Sequence, residues 1–131
     1  MSILGKYTHS DDWRKEKHVP VVTAPENVGK SEKFKVELEV GKDISHPNTT
    51  EHHIRWLKLW YQPQDGKFVY ELGSYEFNAH GESVDGPNKG PALTEPRIST
   101  WVSLTEPGIL IAQAYCNIHG LWEGEQNISV E

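Results

Sequence analysis

The chain is poor in sulfur: cysteine occurs once, at Cys116, and methionine once, at Met1. One cysteine closes no intramolecular disulfide, so these 131 residues are held by burial, or by burial plus a bound ion. A lone thiol also points to a reducing compartment, the cytoplasm. Positive charge is scarce too, with 13 Lys and Arg against 19 Asp and Glu and a net charge of −6. A chain of that sign does not track a phosphate backbone, which excludes nucleic acid as a general partner. No apolar run reaches the about 18 residues of a membrane-spanning helix, so no membrane is expected. The opening MSILGKYTHSDDWRKEKH carries no apolar stretch behind a basic start, and no secretory leader is expected. The sequons at Asn48 and Asn127 are accordingly read as chance matches. Repeats, low-complexity tracts and interdomain linkers are missing as well, and residues 1–131 read as a single domain.

What is present is strand pattern. SEKFKVELEV sets Phe34, Val36, Leu38 and Val40 against Lys35, Glu37 and Glu39, the alternation of a half-buried strand. HIRWLKLWYQ is apolar on both parities, which suits a central strand covered on both sides. KFVYELGSYEF reads as one long strand, or two broken at Gly73. RISTWVSLT, ILIAQAYC and a short closing QNISVE complete the set. Residues 78–96 are rich in Gly and Pro and read as a long surface connection. The one helical candidate is a turn in SDDWRKEK capped by Ser10 or Asp11. About seven short strands with regular turns predict an all-β, immunoglobulin-like antiparallel β-sandwich.

Seven histidines are unevenly placed. His18 lies in KEKHVP, His46 and His52 stand at H-x5-H in HPNTTEHH, and His119 follows Cys116 at C-x2-H. For His9 and His80 the expected state is a solvated loop side chain. His53 directly follows His52, so in an extended segment the two point to opposite sides. Alone, Cys116 would read as a small buried hydrophobe. With His119 it reads differently, because a two-residue gap at a strand end closes a turn that lets both side chains reach one ion. The tightness of that turn should make His119 present a different ring nitrogen from the other histidines. Amides of Ile118 and His119 are placed to donate to the sulfur.

The donor set leaves the metal open. Structural zinc takes four ligands in a closed tetrahedron, and here five candidates are available. A blue-copper site uses two His, one Cys and a weak axial Met, and the sole Met is Met1. Imidazoles with one thiolate also suit iron, with a position left open for chemistry.

EKHVPV (16–21), HPNTTEHHI (46–54) and CNIHGLWE (116–123) together, in that order, resemble the signature segments of the superoxide reductases, in the one-domain kind called neelaredoxin. The resemblance spans the chain. It implies a mononuclear non-haem iron with His18, His46, His52 and His119 as equatorial ligands and Cys116 as the axial one. It implies Glu16 as the sixth ligand of the oxidised resting state and Lys17 as a mobile cation beside it. The activity implied is one-electron reduction of superoxide to hydrogen peroxide, with electrons from a rubredoxin-type donor, in a homotetramer. Three other readings compete: a cupredoxin-like electron-transfer protein, a metal-free sandwich whose loops bind a partner, and superoxide dismutation at the same iron.

Overall fold

A computed structural model describes residues 2–131, and Met1 lies outside the described residues. Eight strands form two sheets. The first holds β1 (Val21–Thr23), β3 (Phe34–Glu39) and β6 (Arg97–Val102) in the order β1-β3-β6. The second holds β2 (Asn27–Val28), β4 (Ile54–Pro63), β5 (Tyr70–Glu76), β7 (Gly108–Cys116) and β8 (Gly120–Val130) in the order β2-β8-β7-β4-β5. One apolar cluster fills the space between them. It takes Phe34, Val36 and Leu38 from β3, Leu57, Leu59 and Tyr61 from β4, and Leu110, Ala112, Ala114 and Cys116 from β7. The expected β-sandwich is therefore the fold, and the alternation of β3 is the reason its Phe34, Val36 and Leu38 side stays dry and its Lys35, Glu37 and Glu39 side faces outward.

Three local expectations change. The helix is not in SDDWRKEK but at α1 (Ile3–Tyr7), where the Ser2 side chain accepts from the Gly5 amide. Residues 12–16 make only a turn, with Lys15 N and Glu16 N donating to Asp12 O. The closing strand is not the short QNISVE but all of β8, because GLWEGE pairs residue for residue with β7 across the Cys116–Gly120 hairpin. The two extra strands, β1 and β2, come from VPVVTAPENV, and β2 runs parallel to β8 rather than antiparallel. KFVYELGSYEF contains one strand, β5, with an irregularity opposite Leu59 and Trp60 that skips Leu72.

The strand HIRWLKLWYQ is buried on one side and only half-buried on the other. Leu57, Leu59 and Tyr61 face the core, while Trp56, Lys58 and Trp60 face outward. Cover on the outer side comes from the sheet itself, with Trp56 stacked on Tyr115 at 5.9 Å and the Lys58 ammonium 5.0 Å over the Trp56 ring.

This topology gathers one end of the sandwich. The segment entering β1, the β3–β4 connection and the β7–β8 hairpin all meet there, and they carry His18, His46, His52, His119 and Cys116.

Candidate metal centre

Each donor is held by a different local device. Cys116 is the last residue of β7, fully buried at 0% exposure, and pairs with Gly120. Gly120 has φ +80°, the left-handed turn that folds the hairpin back and brings His119 over the sulfur. His18 sits just before β1, in a segment pressed on β8. A Cβ at Gly124 would lie 2.0 Å from Pro20 O, so only glycine permits that approach. Gly124→Ala is therefore expected to push residues 18–20 off β8 and to cost about 1–3 kcal/mol of stability. A thermal melt and metal retention, measured together, check this, since both should fall.

The donors converge. One ligand atom each from His18, His52, Cys116 and His119 lies within 4.8 Å of the others. His18 Nε2 is 3.1 Å from His119 Nδ1, which is 3.2 Å from His52 Nε2 and 3.8 Å from Cys116 Sγ. A ring nitrogen carries at most one proton, so His119 Nδ1 cannot satisfy both neighbouring nitrogens. Lone pairs left facing one another are what a cation between them would relieve. His119 does present Nδ1 where His18 and His52 present Nε2, as the tight turn predicts.

His46 stands at the rim of the same cluster, its ring centroid 4.9 Å from His18 and 4.8 Å from His52. Its Nδ1 donates to Pro47 O at 2.6 Å, and its Nε2 is buried with no hydrogen-bond partner. An orphaned buried nitrogen is costly unless something coordinates it. Three converging imidazoles, a thiol and this fourth imidazole fit a mononuclear iron better than the closed tetrahedron of structural zinc. They exceed the two His and one Cys of a blue-copper plane, and no methionine lies among the described residues.

The field around the cluster keeps these rings ready to bind. Burial pushes the His46 imidazole down to about 4 against the opposing pull of the Pro47 carbonyl, with His18, His52 and Lys17 adding to the shift. Burial also lowers His18, outweighing Glu16, and lowers His52, helped by His119, His18 and Lys17. Neutral imidazole is the form that binds metal. The sulfur is partly hydrogen-bonded as expected: His119 N donates to Cys116 Sγ at 3.4 Å, whereas Ile118 makes no such bond.

Glu16 and Lys17 are brought to the cluster without joining it. The Glu16 carboxylate sits behind His18, where Oε1 accepts from Nδ1 at 2.6 Å and from the His18 backbone N at 3.0 Å. Burial alone would raise this carboxyl, but the bonds from His18 hold it below its ordinary value, so it is anionic at neutral pH. Backing an imidazole with a carboxylate fixes its ring and makes the far nitrogen more basic. The half-buried Lys17 adds its positive field to Glu16, His18, His46 and His52 alike.

Several residues at this end were not legible as functional. Trp122 stacks on His18 at 4.8 Å and 17° and donates from Nε1 to His119 O, bracing two donors at once. Asn117 accepts from His53 N through Oδ1 and donates from Nδ2 to Glu51 O, tying the hairpin to the β3–β4 connection. The expectation for His9 holds in part, since it is exposed yet tilted against Trp122. For His80 it fails: the residue is 4% exposed, not solvated, because it packs face to face on His53. A C-N-x-H hairpin could have flagged Asn117, but nothing in the local sequence marks His80.

The desulfoferrodoxin family model matches residues 10–125. The chain is 49% identical to the superoxide reductase of Pyrococcus furiosus, with 94% of this chain and 97% of that protein covered. Among solved structures it is similar to a Thermotoga maritima protein, with 56% identity, a TM-score of 0.96, and 100% and 99% of the two chains covered. It is also similar to the superoxide reductase (neelaredoxin) of Archaeoglobus fulgidus in the reduced form, with 47% identity, a TM-score of 0.86, and 94% and 98% covered. Likeness that runs nearly end to end, over a fold that superposes this closely, means that the chain belongs to the desulfoferrodoxin family, with the superoxide reductases of the neelaredoxin type.

Proposed function

We propose that this protein reduces superoxide to hydrogen peroxide, O2⁻ + e⁻ + 2H⁺ → H2O2, at one iron held by His18, His46, His52, His119 and Cys116. The observation that carries the reading is the convergence of three imidazole nitrogens and one thiol within 4.8 Å, beside a buried, unpartnered His46 Nε2. Iron held by these side chains would supply the one-electron chemistry and leave room for a small substrate.

The protein's own residues do the rest. Lys17 draws the anion toward the cluster against an overall charge of −6, and it orients the water that delivers a proton. Cys116, buried and hydrogen-bonded by His119 N, supplies electron density whose strength that bond tunes. Glu16 holds His18 in register, and we assign it a second task as sixth ligand of the oxidised resting state. That task requires its carboxylate to leave His18 Nδ1. His52 is half-buried and His119 exposed, which leaves a solvent side for a small anion to enter.

The electron comes from an external one-electron donor of rubredoxin type. Assembly as a homotetramer is the arrangement that the resemblance to the one-domain superoxide reductases implies. The chain acts as a single domain, and a lone thiol that must stay reduced suits the cytoplasm.

Metal analysis followed by a superoxide assay tests the function. About one iron per chain is expected from a single five-donor site, with peroxide formed as superoxide is consumed and no dioxygen released. Dioxygen evolved without a reductant would instead identify a dismutase. Stoichiometric copper would identify a cupredoxin-like carrier, and no metal after anaerobic reconstitution would leave a binding module.

A further inference from the structure

Behind the cluster lies a second pair of histidines. The rings of His53 and His80 stack 3.5 Å apart at 10°, each residue 4% exposed. Imidazole lone pairs lie in the ring plane, so two stacked rings cannot aim at one ion, and this is no second metal site. His53 Nδ1 donates to Thr49 O at 2.8 Å, and its Nε2 accepts from Arg55 Nε at 3.2 Å. His80 Nδ1 lies 3.2 Å from Glu82 Oε2, and its backbone N donates to Glu82 Oε1 at 2.6 Å. Its Nε2 is buried and unpartnered. That orphan is a penalty a plain apolar filler would avoid, so the site uses the planar ring for more than volume.

The pair joins two loops. His53 ends the segment 46–53 that carries His46 and His52. His80 begins the long connection between β5 and β6. Further bonds run between the same loops: Asn88 Oδ1 accepts from Thr50 N at 2.8 Å, Asn88 Nδ2 donates to Glu51, and Asn48 Nδ2 donates to Thr94 O. The His80–Leu93 bridge and the Gly81 N–Ala92 O bond stiffen the long connection itself. The segment 46–53 contains no strand or helix; Asn117 ties its end at Glu51 and His53 to the hairpin, and the His53–His80 stack is the further brace that joins it to the long connection.

We infer that the connection 78–94 is a built part of the metal centre, in which His80, stacked on His53, is the positioning residue that holds His46 and His52 against Cys116 and His119. This rests on the iron reading above. A ligand loop without that strut samples more arrangements, and the metal must offset the ordering on binding.

The test uses the metal-free full chain, loaded anaerobically with cobalt(II) and with ferrous iron against a competing chelator. Urea unfolding of the metal-free variants is measured alongside. His80→Ala is expected to bind either ion about 10–100-fold more weakly, the range for losing a partner behind a ligand. The cobalt spectrum should lose definition as the donors spread. His80→Phe keeps a planar face on His53 and should stay within about threefold of the parent, well short of that loss. His80→Leu fills the space without a planar face and should fall with the alanine variant. It also keeps the test alive should alanine not fold. Leucine and phenylalanine variants with equal affinity and equal spectra would overturn the inference. So would a variant that loses stability while its folded form binds like the parent, since that is a purely structural role. A parent chain that binds neither ion would sink the iron reading itself, a different result from unaffected variants.

Discussion

Cys116→Ser is expected to remove the sulfur-to-iron absorption of the oxidised protein and to lower superoxide turnover on the order of 100-fold or more, at least the loss seen for disturbing a ligand's partner. Cys116 is fully buried at the end of β7, with Sγ 3.8 Å from His119 Nδ1 and 3.4 Å from the His119 amide that donates to it. Serine fills nearly the same space and can still accept that bond, so the sandwich should survive, within about 1–2 kcal/mol for a buried hydroxyl with one partner. Its oxygen is a poorer electron donor than thiolate and sits on a shorter bond. The variant therefore separates the sulfur's chemistry from its packing. An absorption spectrum left unchanged would refute axial ligation by Cys116.

The second large effect is at Glu16, where two tasks can be pulled apart. Glu16→Ala removes the acceptor behind His18 Nδ1 and from His18 N, so iron affinity should fall by about 10–100-fold. It also removes the proposed anionic ligand of the oxidised state, so added azide or cyanide should bind the ferric form readily. The first step of superoxide reduction should remain largely intact in the loaded variant, because Lys17 stays in place. Glu16→Gln discriminates. Its amide oxygen can still accept from His18 Nδ1 and should restore much of the affinity, yet its neutral side chain should leave the ferric form open to anions. Titration with azide, followed by absorption, and chelator competition report the two effects separately. If Glu16→Ala abolishes the first reduction step, Glu16 has a different task from the two assigned here.

The legible parts of the fold share one property: their signal is local. The alternation over Phe34–Val40 states which face of β3 is buried, and the structure agrees at Phe34, Val36 and Leu38. The two-residue gap between Cys116 and His119 marks a tight turn at a strand end, and the structure closes one there. The misread parts depend on partners far away. GLWEGE has too few apolar residues at alternate positions to read as strand, and it is extended because β7 offers a full ladder to pair with. SDDWRKEK has the polar composition of a capped turn, but its neighbours draw the chain along β8: His9 pairs with Trp122, and Ser10 Oγ donates to Glu123 O. No helix of the described residues is long and apolar enough to cross a membrane, in keeping with the lack of an apolar run.

By itself the sequence determined the donor chemistry. It specified one thiol, four imidazoles in three short segments, a carboxylate and an ammonium just before the first of them, and the strand pattern that makes a sandwich. These are matters of residue type and short spacing, which survive in an extended chain. Only the tertiary structure decided how they meet. It decided that Glu16 backs His18 instead of facing the cluster, and that His80 lies stacked and buried instead of solvated. The reason is that ring orientation and burial follow from contacts between segments tens of residues apart, such as His53 with His80 and His18 with Trp122. No spacing within a single segment encodes those contacts.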